Sequence, residues 1–225
     1  MKLSVLIPCY NERQTILEVV RRVKAIGLDV EIIIVDDGST DGTREILQSL
    51  NGDRFKVVLH DRNRGKGAAI RTALPLVTGD VVVVQDADLE YDPQDLGSLV
   101  EPIRSGRTSV AYGSRNLRPN VRSYSTFYWG GRVVSWVTTL LYGSRITDEP
   151  TGYKMFRTDV LRGLDLKSER FEFCSEVTAK LLRDGHTIVE VPISYAPRSF
   201  AEGKKIRWTD GLVAIWALIR YRFSR

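Results

Sequence analysis

The chain has 225 residues, 43% of them hydrophobic and 27% charged, which is enough to bury one sizeable α/β core and too short for two full domains. Its two cysteines, Cys9 and Cys174, lie far apart with no CxxC partner, so they read as reduced core residues and not as a disulfide framework or a zinc site. The formal net charge of +5 sits wholly in the last stretch, where residues 198–225 hold seven Lys or Arg against Glu202 and Asp210.

In chain order, LSVLI (3–7), VEIIIV (30–35), FKVVL (55–59) and VVVV (81–84) predict strands buried on both faces. Helical patterns lie between them. Ile16, Val19, Val20, Val23 and Ile26 form one stripe, residues 43–50 carry Ile46, Leu47 and Leu50, and residues 68–77 offer a third helix. This alternation predicts βαβ units, a parallel sheet and a nucleotide-binding-type core over residues 1–113. The later part reads as an arginine-rich irregular stretch (115–127), a helix (127–142), a strand near 153–156, a helix near 172–183, a strand at 187–195, a Gly/Lys loop (198–206) and a terminal helix. MKLSVLIPCYNE has too short an apolar run for a signal peptide, and no run of 18 apolar residues appears, so a cytosolic protein without a membrane span is expected. From Pro102 to Thr147 there are seven arginines and no Asp or Glu, which fits an anionic partner or a solvated basic face.

In open parallel sheets ligands sit beyond the carboxyl ends of the strands. Here those ends carry Pro8, Tyr10, Asn11 and Glu12, then Asp36, Asp37, Gly38 and Ser39, then Asp86 and Asp88. In a regular strand Asp86 and Asp88 leave the same face, where two carboxylates repel unless a cation holds them. Hard oxygen ligands suit Mg²⁺ or Mn²⁺ bound together with substrate phosphates; an acidic turn after a strand is the simpler alternative. An EF-hand is excluded by Tyr91 and Gly97 at its glycine and glutamate positions. GKGAAI (65–70) is no Walker loop, since His60 stands at the first glycine position and Gly67 follows Lys66. Gly65 and Gly67 either admit backbone close to a ligand or simply start a helix. His60 and His186 show no partner pattern and read as ordinary strand-end or loop residues.

PCYNE (8–12), VDDGSTDGT (35–43), RNRGKGAA (62–69) and QDAD (85–88), in this order and spacing, resemble an inverting family 2 glycosyltransferase of the GT-A fold. GSR (113–115), TGYKMFR (151–157) and VPISYAPRSFAEGKK (191–205) resemble its dolichol-phosphate mannosyltransferase branch and bacterial polyprenyl-phosphate relatives. The resemblance spans nearly the whole chain as a single domain: a three-layer α/β fold with a mostly parallel sheet, a nucleotide-sugar part (1–113), an acceptor part (114–206) and an amphipathic C-terminal helix (207–225). It implies that Pro8, Tyr10, Glu12, Val35 and Asp37 hold the nucleoside, with Asp37 on the base. Asp86, Ala87 and Asp88 then form the metal and diphosphate site, with Glu90 as a further ligand. Arg115, Arg198 and Lys204 contact phosphates. The relatives' Arg-Arg-x-x-Ser acceptor segment is met by Gly131, Arg132, Val133, Val134 and Ser135, which places Arg132 and Ser135 at the acceptor with one arginine fewer.

The implied activity is metal-dependent transfer of a sugar from a GDP- or UDP-sugar to a polyprenyl or dolichyl phosphate. A phosphate nucleophile needs no general base. Transfer to a glycan hydroxyl does, and Asp148 or Glu149 in TDEPTG offers one. A sugar nucleotidyltransferase and a non-catalytic nucleotide-sugar module are further alternatives, and no nucleic-acid partner is expected. Trp129, Val133, Trp136, Val137, Leu140 and Leu141, and then Trp208, Leu212, Ile215, Trp216 and Ile219 followed by Arg220, Arg222 and Arg225, form amphipathic stripes. They suit docking on the cytoplasmic face of an anionic membrane, or packing on the core.

Overall fold

The computed structural model describes residues 1–50, 55–121, 124–199, 203, 205 and 208–223. The four apolar runs form β1 (Leu3–Cys9), β2 (Val30–Asp36), β3 (Phe55–Leu59) and β4 (Val81–Val84). With β5 (Val110–Ser114), β6 (Lys154–Arg157) and β7 (Ile188–Pro192) they make one sheet in the order β3-β2-β1-β4-β6-β5-β7. β1 pairs in parallel with both β2 and β4, β2 with β3, and β5 with β7. Only β6 runs antiparallel, between β4 and β5. The later part of the chain therefore shares the sheet of the first, because β6 hydrogen-bonds directly to the valine strand.

The sheet carries α1 (Ile16–Lys24), α2 (Thr43–Gln48), α3 (Lys66–Ala73), α4 (Leu96–Arg104), α5 (Ser125–Tyr142), α6 (Thr158–Gly163), α7 (Phe173–Arg183) and α8 (Trp208–Phe223). Alternation along the strands feeds two cores. Val81 and Val83 join Ile32, Ile34 and the apolar stripes of α1 and α4, while Val82 and Val84 join Ile33, Val35 and residues of α3 and α7. All four valines are at most 1% exposed, and burying each side chain contributes about 1.5–3 kcal/mol. That packing makes β4 a rigid mount for the acidic residues after it. A third cluster joins Val134 of α5, Ala179 of α7 and Ala217, Leu218 and Tyr221 of α8.

Several elements differ from expectation. The third helix starts at Lys66 and gives way at Leu74–Leu76 to a 3-10 turn containing Pro75, whose ring nitrogen has no proton to donate to a continued helix. The last strand is shorter than residues 187–195. α4, α6 and β5 were not anticipated; α4 even contains Pro102.

β2 and β4 flank β1 on opposite sides, and the register sets Cys9 beside Asp36 and Leu6 beside Val84. Three parallel strands thus end on one edge at a point where strand order reverses, which is where a ligand crevice forms.

Candidate active site

β4 stops at Val84, so Asp86 and Asp88 do not alternate along a regular strand as expected; they sit in the turn that follows, where Leu89 adopts a left-handed φ of 61°. The pair is held from both sides by cations. Lys66 Nζ donates to Asp86 Oδ1 at 2.5 Å, and Arg198 Nη2 donates to Asp88 Oδ2 at 3.2 Å. Burial, with the charges of Asp86 and Glu90, still pushes Asp88 up to about 7. Loss of water contact at this buried turn is the larger cause, and the two neighbouring carboxylates add to it. Gly152 leaves room beside the turn, since a Cβ there would push on Asp86 Oδ2 and crowd the Tyr91 ring. The Gly152 amide donates to Tyr91 Oη at 2.9 Å, and Tyr153 Oη donates to Gln85 Oε1 at 2.6 Å, so β6 and its lead-in clamp the end of β4.

Just past the end of β2, Asp37 is buried and accepts from the Arg64 amide at 2.9 Å and the Gly65 amide at 2.7 Å. His60 Nδ1 lies 2.8 Å from Asp37 Oδ1 and its Nε2 lies 2.9 Å from Thr72 Oγ1. His60 is thus no ordinary strand-end residue: both ring nitrogens are engaged, and it braces the carboxylate that shapes residues 64–65. Gly65, at φ 100°, turns the chain into α3 and delivers Lys66 to Asp86. A Cβ on Gly65 or Gly67 overlaps the backbone carbonyls of Glu169 and Ser168, so these glycines start the helix by close packing. Glu12 accepts from Arg198 at 3.0 and 3.1 Å and from Lys205 at 2.7 Å.

In the loop before β6, Asp148 is 2% exposed and takes three hydrogen bonds from Arg115: the amide and Nε to Oδ2 at 2.8 Å each, and Nη2 to Oδ1 at 2.7 Å. A carboxylate so engaged holds the Arg115 guanidinium in a fixed orientation. Glu90 turns toward the 195–198 segment, with Oε2 accepting from Tyr195 Oη at 2.9 Å and Oε1 from the Arg198 amide at 2.8 Å.

These groups surround one cavity of about 1180 Å³. Pro8, Tyr10, Glu12, Asp37, Asp86, Ala87, Asp88, Glu90, Arg115, Arg132, Asp148 and Arg198 line it. Two expected residues do not. Val35 packs its side chain into the core, because strand alternation at the end of β2 sends it away from the crevice. Ser135 is buried, its Oγ donating to the Gly131 carbonyl and accepting from the Glu149 amide, both at 2.9 Å. Lys204 lies outside the described residues; Lys205 beside it reaches Glu12. Sequence reading missed Lys66 as a partner of the carboxylate pair, although it stands inside RNRGKGAA.

The donor set fits a divalent cation in part. Asp86 and Asp88 supply hard oxygens, yet among the described residues no group of three His, Cys, Asp or Glu side chains forms a ready metal cage. Such a pair suits Mg²⁺ or Mn²⁺ that is completed by substrate phosphate and water.

Comparison with known proteins agrees with this architecture. The model of "Glycosyl transferase family 2" matches residues 4–164. A dolichol-phosphate mannosyltransferase of Pyrococcus furiosus is 32% identical over 212 residues, covering 91% of this chain, which in turn spans only 59% of that relative's length. A UDP-N-acetylglucosamine–dolichyl-phosphate N-acetylglucosaminyltransferase of Methanococcus voltae is 31% identical over 224 residues, 89% of each chain. Glucosyl-3-phosphoglycerate synthase of Mycobacterium tuberculosis, solved with Mn²⁺, UDP and glucosyl-3-phosphoglycerate, superposes with a TM-score of 0.76 at 20% identity, over 98% of this chain and 79% of that one. With a three-layer GT-A fold and acidic strand ends facing one crevice, the chain belongs to glycosyl transferase family 2.

Proposed function

We propose that the protein transfers a sugar, with inversion, from a nucleotide-sugar donor to the phosphate of a polyprenyl phosphate. The observation that carries this reading is the locked Arg115–Asp148 pair: the wall facing the acceptor offers a fixed guanidinium, and both oxygens of the carboxylate beside it are hydrogen-bonded to that arginine. An acceptor phosphate oxygen is already anionic. It attacks the anomeric carbon, the bond from that carbon to the diphosphate oxygen breaks, and nucleoside diphosphate leaves with the electron pair; no proton has to be removed. Arg115 and the exposed Arg132 suit the incoming phosphate, Arg115 through a planar fork already aligned by Asp148. Lys66, Arg198 and Lys205 suit the donor diphosphate. Asp86 and Asp88 would hold the divalent ion, which supplies charge neutralisation on the leaving diphosphate.

The two relatives share a dolichyl-phosphate acceptor in their names and differ in sugar. That supports the acceptor class and leaves the sugar to the site itself.

The outer faces of α5 and α8 support work at a membrane surface. Trp129, Trp136 and Leu140 are 64–69% exposed, and Trp208 and Trp216 are 72% and 58% exposed, with Arg220 and Arg222 at the end of α8. Tryptophan and arginine together suit the headgroup region. No helix among the described residues is long and apolar enough to cross a membrane. A donor panel with polyprenyl phosphate and Mn²⁺ or Mg²⁺ tests the reading. Formation of a glycosyl phosphate lipid together with nucleoside diphosphate is expected; release of pyrophosphate, or no lipid product with any donor, overturns it.

A further inference from the structure

Glu149 is a buried acid that the reaction above does not use. It is 0% exposed yet lines the cavity, one residue beyond Asp148 on the loop whose Gly152 packs against Asp86. Its Oε2 accepts from Ser175 Oγ at 3.4 Å, a long contact; the Thr178 hydroxyl and the Lys154 charge also favour the ionised carboxylate, yet Oε1 has no partner in hydrogen-bond geometry among the described residues. The nearby ammonium of Lys154 does not meet this need. Lys154 Nζ donates to the Glu149 backbone carbonyl at 2.6 Å and to Thr178 Oγ1 at 3.3 Å, and lies 3.7 Å from the centre of the Tyr112 ring. The loop cannot easily swing Glu149 elsewhere, because its amide is tied to Ser135 Oγ at 2.9 Å.

A buried carboxyl oxygen without a donor is costly and uncommon in a folded protein, so its retention calls for a partner that arrives later. The chemistry of the cavity sorts the ligands. Both anionic ends of the reaction, donor diphosphate and acceptor phosphate, match the cations Lys66, Arg198, Arg115 and Arg132, and a carboxyl group repels them. What remains between them is the neutral sugar, whose hydroxyls are donors.

We propose that Glu149, supported by Ser175, accepts a hydrogen bond from one hydroxyl of the transferred sugar and so selects donors that present a hydroxyl there. The inference rests on the glycosyltransferase reading above and assigns a specificity-determining residue within it. A site built around a hydrogen-bonding acceptor rejects the analogue lacking the donor far more strongly than an apolar pocket rejects a change in size.

The test uses the full chain, polyprenyl phosphate, whichever of UDP-glucose, UDP-N-acetylglucosamine or GDP-mannose it turns over, and monofluoro analogues of that donor at each hydroxyl. Fluorine keeps the size of a hydroxyl but cannot donate. Wild type should lose roughly 10- to 100-fold in kcat/KM at one position beyond its losses at the others. That extra loss should vanish in Glu149→Leu and shrink in Glu149→Gln, which keeps an amide oxygen. Comparing ratios between variants cancels the electronic effect of fluorine on the reaction. Equal penalties at every position in wild type and both variants overturn the inference. So does a uniform fall in kcat with all donors, which marks Glu149 as a proton acceptor or a structural strut. Should Glu149→Leu fail to fold, Glu149→Gln and Ser175→Ala carry the same comparison. A wild-type chain inactive with every donor refutes the parent reading and takes this inference with it.

Discussion

Replacing Asp148 by Asn separates an orienting carboxylate from a catalytic base. Asp148 is 2% exposed and receives hydrogen bonds of 2.8, 2.8 and 2.7 Å from Arg115, whose side chain is 24% exposed. Asparagine keeps the shape but turns an amide NH₂ toward a guanidinium and leaves Arg115 without its counter-charge. Breaking a buried ion pair costs about 3–5 kcal/mol; the partial exposure of Arg115 lets water recover some of this, leaving about 2–3 kcal/mol. For a chain of this size that corresponds to a melting temperature lower by roughly 4–12 °C. With Arg115 released, the KM for polyprenyl phosphate should rise about tenfold. The rise of kcat/KM with pH on the acid side should persist, because no proton acceptor has been removed. Thermal melts and pH–rate profiles of the two proteins give both readouts. An unchanged melting temperature with loss of the acid-side limb would falsify the orienting role and make Asp148 a base.

Three further outcomes follow from the same geometry. Asp37→Ala releases the Arg64 and Gly65 amides and His60, so calorimetry should show nucleoside diphosphate binding weakened by about tenfold or more; unchanged affinity contradicts its place in the donor site. Glu31 is 4% exposed; burial pushes its carboxyl up, but hydrogen bonds from Ser4 and Thr78 and from Lys2 outweigh this and hold it well below its usual range. Its stabilisation is therefore present above the unfolded value of about 4.3 and is lost as pH falls toward the folded one. Urea denaturation should find Glu31→Gln less stable by about 1–3 kcal/mol at neutral pH, with the gap narrowing in acid; a gap that is constant or widens refutes the assignment. Finally, Trp136→Ala with Trp216→Ala should leave stability nearly unchanged, since both side chains are mostly exposed, while cosedimentation with anionic vesicles drops about tenfold. Undiminished vesicle binding rules out these helices as the docking face.

The parts of the fold set by local pattern were readable before the structure. Four β-branched runs alternating with amphipathic stripes specify parallel βαβ units, and the acidic strand ends follow from the direction of the strands. What was hidden depends on pairing between distant segments. β6 inserts antiparallel between β4 and β5 through hydrogen bonds made far along the chain, and neither Lys154–Arg157 nor its neighbours announce that register. The same holds in the site. Val35 and Asp37 are two residues apart at the end of β2, yet one faces the core and the other the crevice, because the strand ends at Asp36 and the chain turns there. Asp148 and Glu149 are adjacent and equally acidic. Only the fold shows that one is consumed by Arg115 and that the other holds an oxygen without a donor.

The most direct measurement offers the protein a polyprenyl phosphate, the matching polyprenol and a free oligosaccharide at equal concentration, with its working nucleotide sugar and Mn²⁺ or Mg²⁺. Mass spectrometry and NMR then identify the product and its anomeric configuration. The account predicts one product, a glycosyl phosphate lipid inverted at the anomeric carbon, and its loss by at least about a hundredfold in Asp86→Asn and Asp88→Asn. Transfer to the polyprenol or the oligosaccharide hydroxyl, retention of configuration, or full activity of both variants in the presence of chelator would contradict it.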